Sequence, residues 1–267
     1  MVRKTLLTAL FFVSVIPALA FAHAGKGNLV DVRIISDGSS EFPLYRTYPR
    51  LHQEGSFFYV EAVKGARYSI QVTNRSGTRI GVVIAVDGRN IISGKKSDLK
   101  RNEQMYIVGP YESNTFEGWR TGMDRTNRFY FTEVSDSYAE KVFADASAMG
   151  TIALAVFREK LPETLSKMQE APAGAAAPRA SGESRSVDGT ERKKSDEAGT
   201  GFGETTHSPA RLVHFESENT HAEKFVLKYE WRSELCRKGI IHCGPKNRNR
   251  FWPDEIEFAP IPKDFRG

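Results

Sequence analysis

The residues best suited to chemistry include the only two cysteines of the chain, Cys236 and Cys243, which lie seven positions apart. In an oxidising compartment such a pair predicts a disulfide, and closing so short a loop stabilises a fold by about 2–3 kcal/mol. The alternative is a metal site that adds His242 and a histidine upstream. Structural zinc sites favour the C-x-x-C spacing, so the pattern favours a disulfide and no metal site.

A basic segment surrounds these cysteines and forms the first candidate binding site. Five basic residues and no carboxylate lie between positions 235 and 253, and two aromatic residues follow them. Guanidinium groups there can bind phosphate, sulfate or an acidic sugar through paired hydrogen bonds. The alternative is a solvated loop, because runs of charge usually face water. The candidate binding residues of this segment are Arg237, Lys238, Arg248, Arg250 and Trp252.

A second candidate site centres on Trp119 and Arg120, with Tyr111 nearby in the sequence. Aromatic rings stack on sugar faces or anchor a protein partner, and tryptophan, tyrosine and arginine dominate the energetics of interfaces. The alternative is that Trp119 fills the interior, since large aromatic residues occur in cores as readily as at interfaces. A structure that shows whether Trp119 is buried decides between the two.

No arrangement of residues in the sequence predicts catalysis. Four carboxylates, Asp87, Asp124, Glu133 and Asp136, could act as acid and base, but no spacing pairs any two of them. Asp87 is already explained by the turn that it forms with Gly88. The chain contains neither a G-x-S-x-G nor an H-E-x-x-H motif. We therefore expect a protein that is not an enzyme, with no catalytic residues and no cofactor.

Short β-strands separated by turn signals fill residues 29 to 159 and predict a mainly β protein, an antiparallel β-sandwich of jelly-roll-like type. Apolar residues alternate with a period of two from Tyr68 to Val72, and 80–86 is apolar on both faces. Asp87-Gly88 supplies the positive-φ residues of a tight turn. Further strands are predicted at 29–36, 57–63, 105–108, 115–121, 127–134 and 151–157.

The amino-terminal residues differ from the strand-rich part of the chain. Residues 1–22 have the basic, apolar and small-residue order of a cleavable export signal, with cleavage expected before His23 or, alternatively, Gly25. Once the signal is removed, 36 basic and 33 acidic residues leave a net charge of about +3. That balance is too weak to predict nucleic-acid binding. No later segment is apolar enough to span a membrane, so a periplasmic or extracellular protein is expected.

The sandwich domain is predicted over residues 28–160, with one short helix over 136–148. Residues 170–200 are rich in alanine, proline, glycine, serine and charge, which predicts a disordered linker. Residues 201–267 are predicted to form a small β-containing extension, with strands at 211–216 and 223–231. Two strands alone are marginal in water, so this extension is expected to dock on a sheet edge or to join a partner.

Three segments carry a family resemblance: RIGVVIAVDGRNIISG at 79–94, GWRTGM at 118–123 and KYEWRSELC at 228–236. Together they resemble a group of functionally uncharacterised exported proteins of Gram-negative bacteria. The resemblance implies a periplasmic or cell-surface setting and supplies no activity. We expect an envelope protein that binds another protein or an assembly through the Trp119 and Arg120 surface and the C-terminal extension. The alternative is a carbohydrate-binding module or, with less support, a glycan-processing enzyme.

Overall fold

The computed structural model describes residues 25–48, 54–160 and 197–243. The predicted export signal lies outside these ranges, as do residues 170–196 of the predicted linker. Within the described ranges the chain is mainly β, and its strands form two sheets that share one interior. The predicted fold class, a β-sandwich, is confirmed.

The strands of the described residues are, in chain order, β1 (Gly25–Lys26), β2 (Val30–Ser36), β3 (Leu44–Thr47), β4 (Ser56–Ala62), β5 (Arg67–Asn74), β6 (Ile80–Val86), β7 (Arg89–Asn90), β8 (Tyr106–Val108), β9 (Ser113–Phe116), β10 (Gly118–Arg120), β11 (Arg125–Glu133), β12 (Thr151–Arg158), β13 (Ala198–Thr200), β14 (Thr205–His207) and β15 (Glu223–Trp231). The first sheet runs β1-β2-β5-β11-β10, with β9 added to β5 and with β13 and β14 added to β11. The second sheet runs β3-β4-β15-β12-β6-β7, with β8 added to β6.

Residues that alternate with a period of two build the interior between the sheets. In β5 the side chains of Tyr68, Ile70 and Val72 are fully buried, and Leu154 and Val156 of β12 belong to the same core. Each buried aliphatic side chain contributes about 1.5–3 kcal/mol relative to an exposed one. Burial between the sheets is therefore the main source of stability.

Strand β6 is buried on both faces because other segments cover its outer side. Val83 and Phe157 form part of a small cluster there, against Met105. Gly81 leaves room for this cover, because a Cβ at that position would lie 2.4 Å from the Met105 Sδ and 2.8 Å from the Phe215 ring. The cover accounts for the apolar residues that the sequence places on both faces of this strand.

The C-terminal segment lies inside the second sheet. Strand β15 has the bounds that its alternating residues predict, and it pairs antiparallel with β12 and parallel with β4. The parallel register runs from Phe225 opposite Ser56 to Trp231 opposite Ala62. The segment adds a strand within the same chain, but β15 lies between two strands rather than at a sheet edge, and the second sheet is mixed. A local pattern sets which way side chains face, but not which distant strand lies alongside.

A short helix follows β11, as predicted, but it is shorter than its pattern suggests. Helix α1 (Tyr138–Phe143) follows a 3₁₀ turn at Val134–Asp136, and the Ser137 hydroxyl accepts the Glu140 N–H at 3.3 Å as its N-cap. Ala144 takes the left-handed conformation and ends the helix. The predicted continuation to residue 148 is wrong because that conformation breaks the helical hydrogen-bond series.

A second short helix, which the sequence did not predict, follows β15 directly. Helix α2 (Arg232–Arg237) ends next to the predicted cysteine pair. The Cα atoms of Cys236 and Cys243 are 5.5 Å apart, the separation of a disulfide bond. The pairing predicted from the spacing is confirmed.

The strand predicted at 211–216 is absent. Residues 208–217, here called the strap, run outside both sheets. At its start the Ser208 and Ala210 N–H groups donate to the carbonyls of Asp124 and Met123, each at 2.7 Å. The strap therefore begins on the turn between β10 and β11.

Candidate binding cleft

The predicted recognition residue Trp119 lies in the interior. Only 2% of its surface is exposed. Its ring meets that of Phe129 edge-on with centroids 5.2 Å apart, and the Tyr138 ring covers it at 4.6 Å. Its Nε1–H donates to the Gly201 carbonyl at 3.1 Å, which satisfies the polar atom of the side chain. Trp119 thus occupies the packing position that was the alternative to a surface role.

Arg120 follows Trp119 in β10 and connects three segments near the surface. Its Nε donates to the Tyr106 hydroxyl at 2.7 Å, and its Nη1 donates to the carbonyls of Gly122 and Ser208, both at 3.0 Å. Its Nη2 donates to the Ser208 hydroxyl at 3.1 Å. All four acceptors are neutral, so this guanidinium has no carboxylate partner among the described residues. Arg120 holds the start of the strap while keeping its charge uncompensated.

Arg120 also lines a cleft of about 900 Å³ on one side of the sandwich. The cleft is bordered by β8 of the second sheet, β9 of the first sheet, the turn between them and the strap. In the described part of the chain, β8 pairs only with β6 and β9 pairs only with β5. Each strand therefore presents an open edge, where unpaired backbone groups can bind an additional strand.

Exposed apolar side chains surround this cleft. Leu212 of the strap is 91% exposed, and Val213 and Met123 are about half exposed. Ile92 and Phe116 belong to the lining and also pack against the core. Single exposed apolar residues are ordinary, whereas several around one concave surface indicate a binding site.

The strap contributes backbone as well as side chains. Its far end is fixed by a β-bridge between Ser217 and Glu159. From Arg211 to Phe215, its N–H and carbonyl groups make no backbone hydrogen bond to any described residue. The cleft is therefore bordered on two sides by backbone that can accept or donate hydrogen bonds.

Positive charge predominates among the unpaired side chains of the cleft. Arg101 and Arg211 line it together with Arg120, and none of the three forms an ion pair with a described residue. The carboxylates of Glu103 and Glu112 accept backbone N–H groups of their own loops at 2.9–3.0 Å. The arrangement suits a ligand with acidic groups, which guanidinium side chains bind through charged hydrogen bonds.

The other predicted binding residues either do not line the cleft or lie outside the described residues. Tyr111 is 74% exposed, in the turn between β8 and β9, with a left-handed backbone at φ 58°. Arg237 pairs with Glu234 at 2.6 Å, and Lys238 pairs with Glu230. These residues do not line the cleft. Arg248, Arg250 and Trp252 lie outside the described residues, so the anion-binding loop stays a prediction.

Sequence reasoning missed a buried carboxylate that joins the C-terminal segment to the rest of the sandwich. The Asp87 Oδ1 accepts the Gly150 N–H at 2.8 Å and the Tyr229 hydroxyl at 2.5 Å, and Oδ2 accepts the Thr200 N–H at 2.7 Å. The Thr200 hydroxyl hydrogen-bonds those of Tyr229 at 2.7 Å and Tyr68 at 2.8 Å. These five residues, here called the Asp87 seam, connect both sheets.

The electrostatics of the Asp87 seam are those of a buried structural network. Burial raises the pKa of Asp87 to about 6, against the hydrogen bonds that lower it. Burial also raises the pKa of Tyr68 and of Tyr229 well above the usual range. A perturbed carboxylate can mark an active site. This one is fully buried, saturated by donors of its own chain and absent from the cleft lining, so its role is to join strands.

Across residues 25–48, 54–160 and 197–243, no three His, Cys, Asp or Glu side chains are placed to hold a metal ion. In the same ranges, no helix has the length and apolar character needed to cross a membrane.

The comparison with known protein families gives one match. A family model described as a domain of unknown function (DUF7918) matches residues 29–243. The matched range includes both the cleft and the Asp87 seam. No curated protein and no solved structure matches the chain.

Proposed function

The chain belongs to this family of unknown function (DUF7918), and we propose that it is a non-enzymatic exported envelope protein that binds another protein in the cleft. One observation carries the proposal: two open sheet edges lie beside exposed apolar side chains around a single concave surface. An extended segment of a partner can pair with such an edge through its backbone. Its alternate side chains then enter the cleft and provide specificity.

The lining supports a partner segment of mixed character. Leu212 and Val213 offer apolar contact area, which binding removes from water. Arg211 and Arg120 offer guanidinium groups to acidic side chains. In this proposal the recognition surface therefore keeps Arg120 and replaces Trp119, which is buried, with the side chains of the strap.

The envelope setting is supported by the predicted export signal and by the cysteine pair, because disulfides persist in oxidising compartments. Cell fractionation followed by mass spectrometry of the intact protein tests this part. We expect a periplasmic or secreted product that begins at His23, or at Gly25, with a Cys236–Cys243 disulfide. Recovery of the uncleaved, reduced chain from the cytoplasm would contradict the setting without bearing on the cleft.

Binding is tested with the full-length protein and two variants. Leu212→Asp places a charge at the cleft, and Val142→Asp makes the same kind of change at an exposed apolar residue of α1 outside the cleft lining. Proteins captured from an envelope extract are identified by mass spectrometry, purified and measured directly. We expect Leu212→Asp to weaken binding about tenfold or more, a loss of about 1.4 kcal/mol, while Val142→Asp does not. Equal binding to all three proteins would place the partner elsewhere.

The carbohydrate-binding alternative has less support. It used Trp119, Tyr111 and the basic segment at 235–253, and a Trp119 ring that is 2% exposed has no free face for a sugar. Tyr111 is exposed but stands outside the cleft lining. The described residues thus favour the protein-binding function over this alternative.

A further inference from the structure

We propose that residues 254–259 of the chain's own C-terminal segment occupy the cleft of the same molecule as an added β-strand. The proposal rests on the proposed function in one respect, namely that the cleft binds an extended segment. It adds that the chain carries its own ligand for the cleft, so an external partner must displace that segment. The partner is then expected to share its chemistry, with acidic residues alternating with apolar ones.

Charge complementarity is the first argument. Residues 254–259 read DEIEFA and carry three carboxylates and no basic residue. The cleft is lined by Arg101, Arg120 and Arg211, none of which forms an ion pair with a described residue. Arg120 is partly buried and bonded only to neutral acceptors, and a partly desolvated cation gains most from a carboxylate.

The residue pattern of the segment is the second argument. Ile256 and Phe258 alternate with Glu255 and Glu257, so a strand would present an apolar face and an acidic face. Prolines at 253 and 260 bound this stretch. A proline cannot donate to a second neighbour, which suits a strand added at an edge. The cleft offers the matching parts: two open edges, apolar side chains and arginines.

The third argument is reach. Residues 244–253 separate the last described residue from Asp254, and ten extended residues span roughly 33–36 Å. Strand β8 lies three strands from β15 in the second sheet, roughly 14 Å across, and about eight residues back along the strand direction, roughly 26 Å. This separation of about 30 Å runs from Trp231 to β8, and the chain from Trp231 to Asp254 can span it through α2, the disulfide and residues 244–253. A tethered segment also has a high effective concentration, which favours the same molecule over a second copy.

Hydrogen exchange measured by mass spectrometry on the full-length protein tests the proposal. The amides of 255–259 should exchange about tenfold or more slowly than those of 246–250, because only the former would be hydrogen-bonded. Leu212→Asp in the cleft and Phe258→Asp in the segment should each remove this protection. Val142→Asp and Phe265→Asp, matched changes outside the cleft and outside the segment, should leave it in place.

Two results would overturn the proposal. Amides of 255–259 that exchange as fast as their neighbours, or whose protection survives both Leu212→Asp and Phe258→Asp, would show that the segment does not bind in the cleft. Protection that appears only as protein concentration rises about fiftyfold would assign the contact to a second copy.

A labelled peptide of residues 249–262 gives an independent measurement. It should bind full-length Phe258→Asp protein about tenfold or more tightly than wild-type protein, whose cleft is already filled. Equal affinity for the two contradicts self-occupancy. Failure here while partner binding still depends on Leu212 refutes this inference alone, whereas a protected segment with no partner refutes the proposed function alone.

Discussion

The C-terminal part of the chain contains two contrasting regions, its residues in the Asp87 seam and the strap. At the seam, Thr200 and Tyr229 donate to one buried carboxylate, and both carboxylate oxygens have partners within the chain. Along the strap, backbone from Arg211 to Phe215 has no backbone partner among the described residues, and Leu212 is exposed to solvent.

This contrast in burial and hydrogen bonding assigns different roles to two regions of one segment: the seam provides stability and the strap provides recognition. A region whose buried polar groups are all satisfied resists change, because removing one partner leaves others unpaired. A region of exposed apolar side chains and open edges loses little stability when changed, yet it provides the contacts for a partner. The Asp87 seam and the buried side chains packed around it, which include Trp119, are here called the closed region. Substitutions there should therefore destabilise the protein, and substitutions at the cleft should alter binding alone.

The largest expected effect is that of Trp119→Ala, in the closed region. Removing this buried ring should lower the free energy of unfolding by about 4 kcal/mol, because it leaves a cavity and an unpaired Gly201 carbonyl. Urea denaturation followed by circular dichroism measures the change. Tyr111→Ala, at an exposed ring, is the control and should shift it by less than about 0.5 kcal/mol. A loss below about 1 kcal/mol for Trp119→Ala would show that the Trp119 ring does not pack in the core.

The next effect is a pH dependence that arises at Asp87. Its folded-state pKa of about 6 lies above its usual value of 3.8. The stability from this raised pKa is fully present below the unfolded-state value and is lost as pH rises through about 6. Asparagine tolerates the left-handed turn, so Asp87→Asn serves as a reference that does not titrate. The free energy of unfolding of the wild type, relative to that of Asp87→Asn, should fall by about 3 kcal/mol from acid to neutral pH. Denaturant titrations of both proteins across that range measure this difference, and a difference that does not change with pH would refute the prediction.

A smaller effect is expected at the end of the segment, where the disulfide follows β15. The double variant Cys236→Ser, Cys243→Ser should lose about 2 kcal/mol, because the short loop no longer restricts the unfolded chain. Adding a reductant should lower the unfolding midpoint of wild-type protein to that of the double variant. If reductant changes both proteins equally, the bond does not contribute.

The smallest stability effect is expected at the cleft. Leu212→Asp should change the free energy of unfolding by less than about 0.5 kcal/mol, because this side chain is 91% exposed. The same variant should weaken partner binding about tenfold or more. A large loss of stability would show that the strap belongs to the closed region and contributes to the folded core.

Local patterns predicted the strands more fully than their arrangement. The bounds of β15 follow from its alternating residues, and the Asp87-Gly88 turn follows from its residue types. The position of β15 between β4 and β12 does not, since the paired residues Phe225 and Ser56 are distant in the sequence. The partners of the Asp87 carboxylate likewise lie 63 to 142 positions away. Contacts between such distant residues form only when the whole interior packs, so a local sequence pattern does not predict them.

The candidate site was only partly predictable for a related reason. Arg120 was identified from its residue type, and it does line the cleft. A tryptophan such as Trp119 is equally typical of a core and of an interface, so its residue type does not decide between these roles. Only its burial in the structure does. The sequence predicts a strand at 211–216, but no strand of the described residues pairs with this stretch. The exposure of Leu212 and Val213 beside the cleft is visible only in the folded chain.

The parallel neighbours β4 and β15 meet across roughly 170 positions of sequence, which has a consequence for how the polypeptide is made. Until Trp231 has left the ribosome, the strand pairs β3–β4 and β12–β6 are not joined by β15. The edges of β4 and β12 that β15 covers therefore stay unpaired. Ribosomes deliver the amino-terminal part first, and closure over so long a loop is slow. Nascent chains should therefore need a holding chaperone, and prematurely terminated products should accumulate as insoluble material.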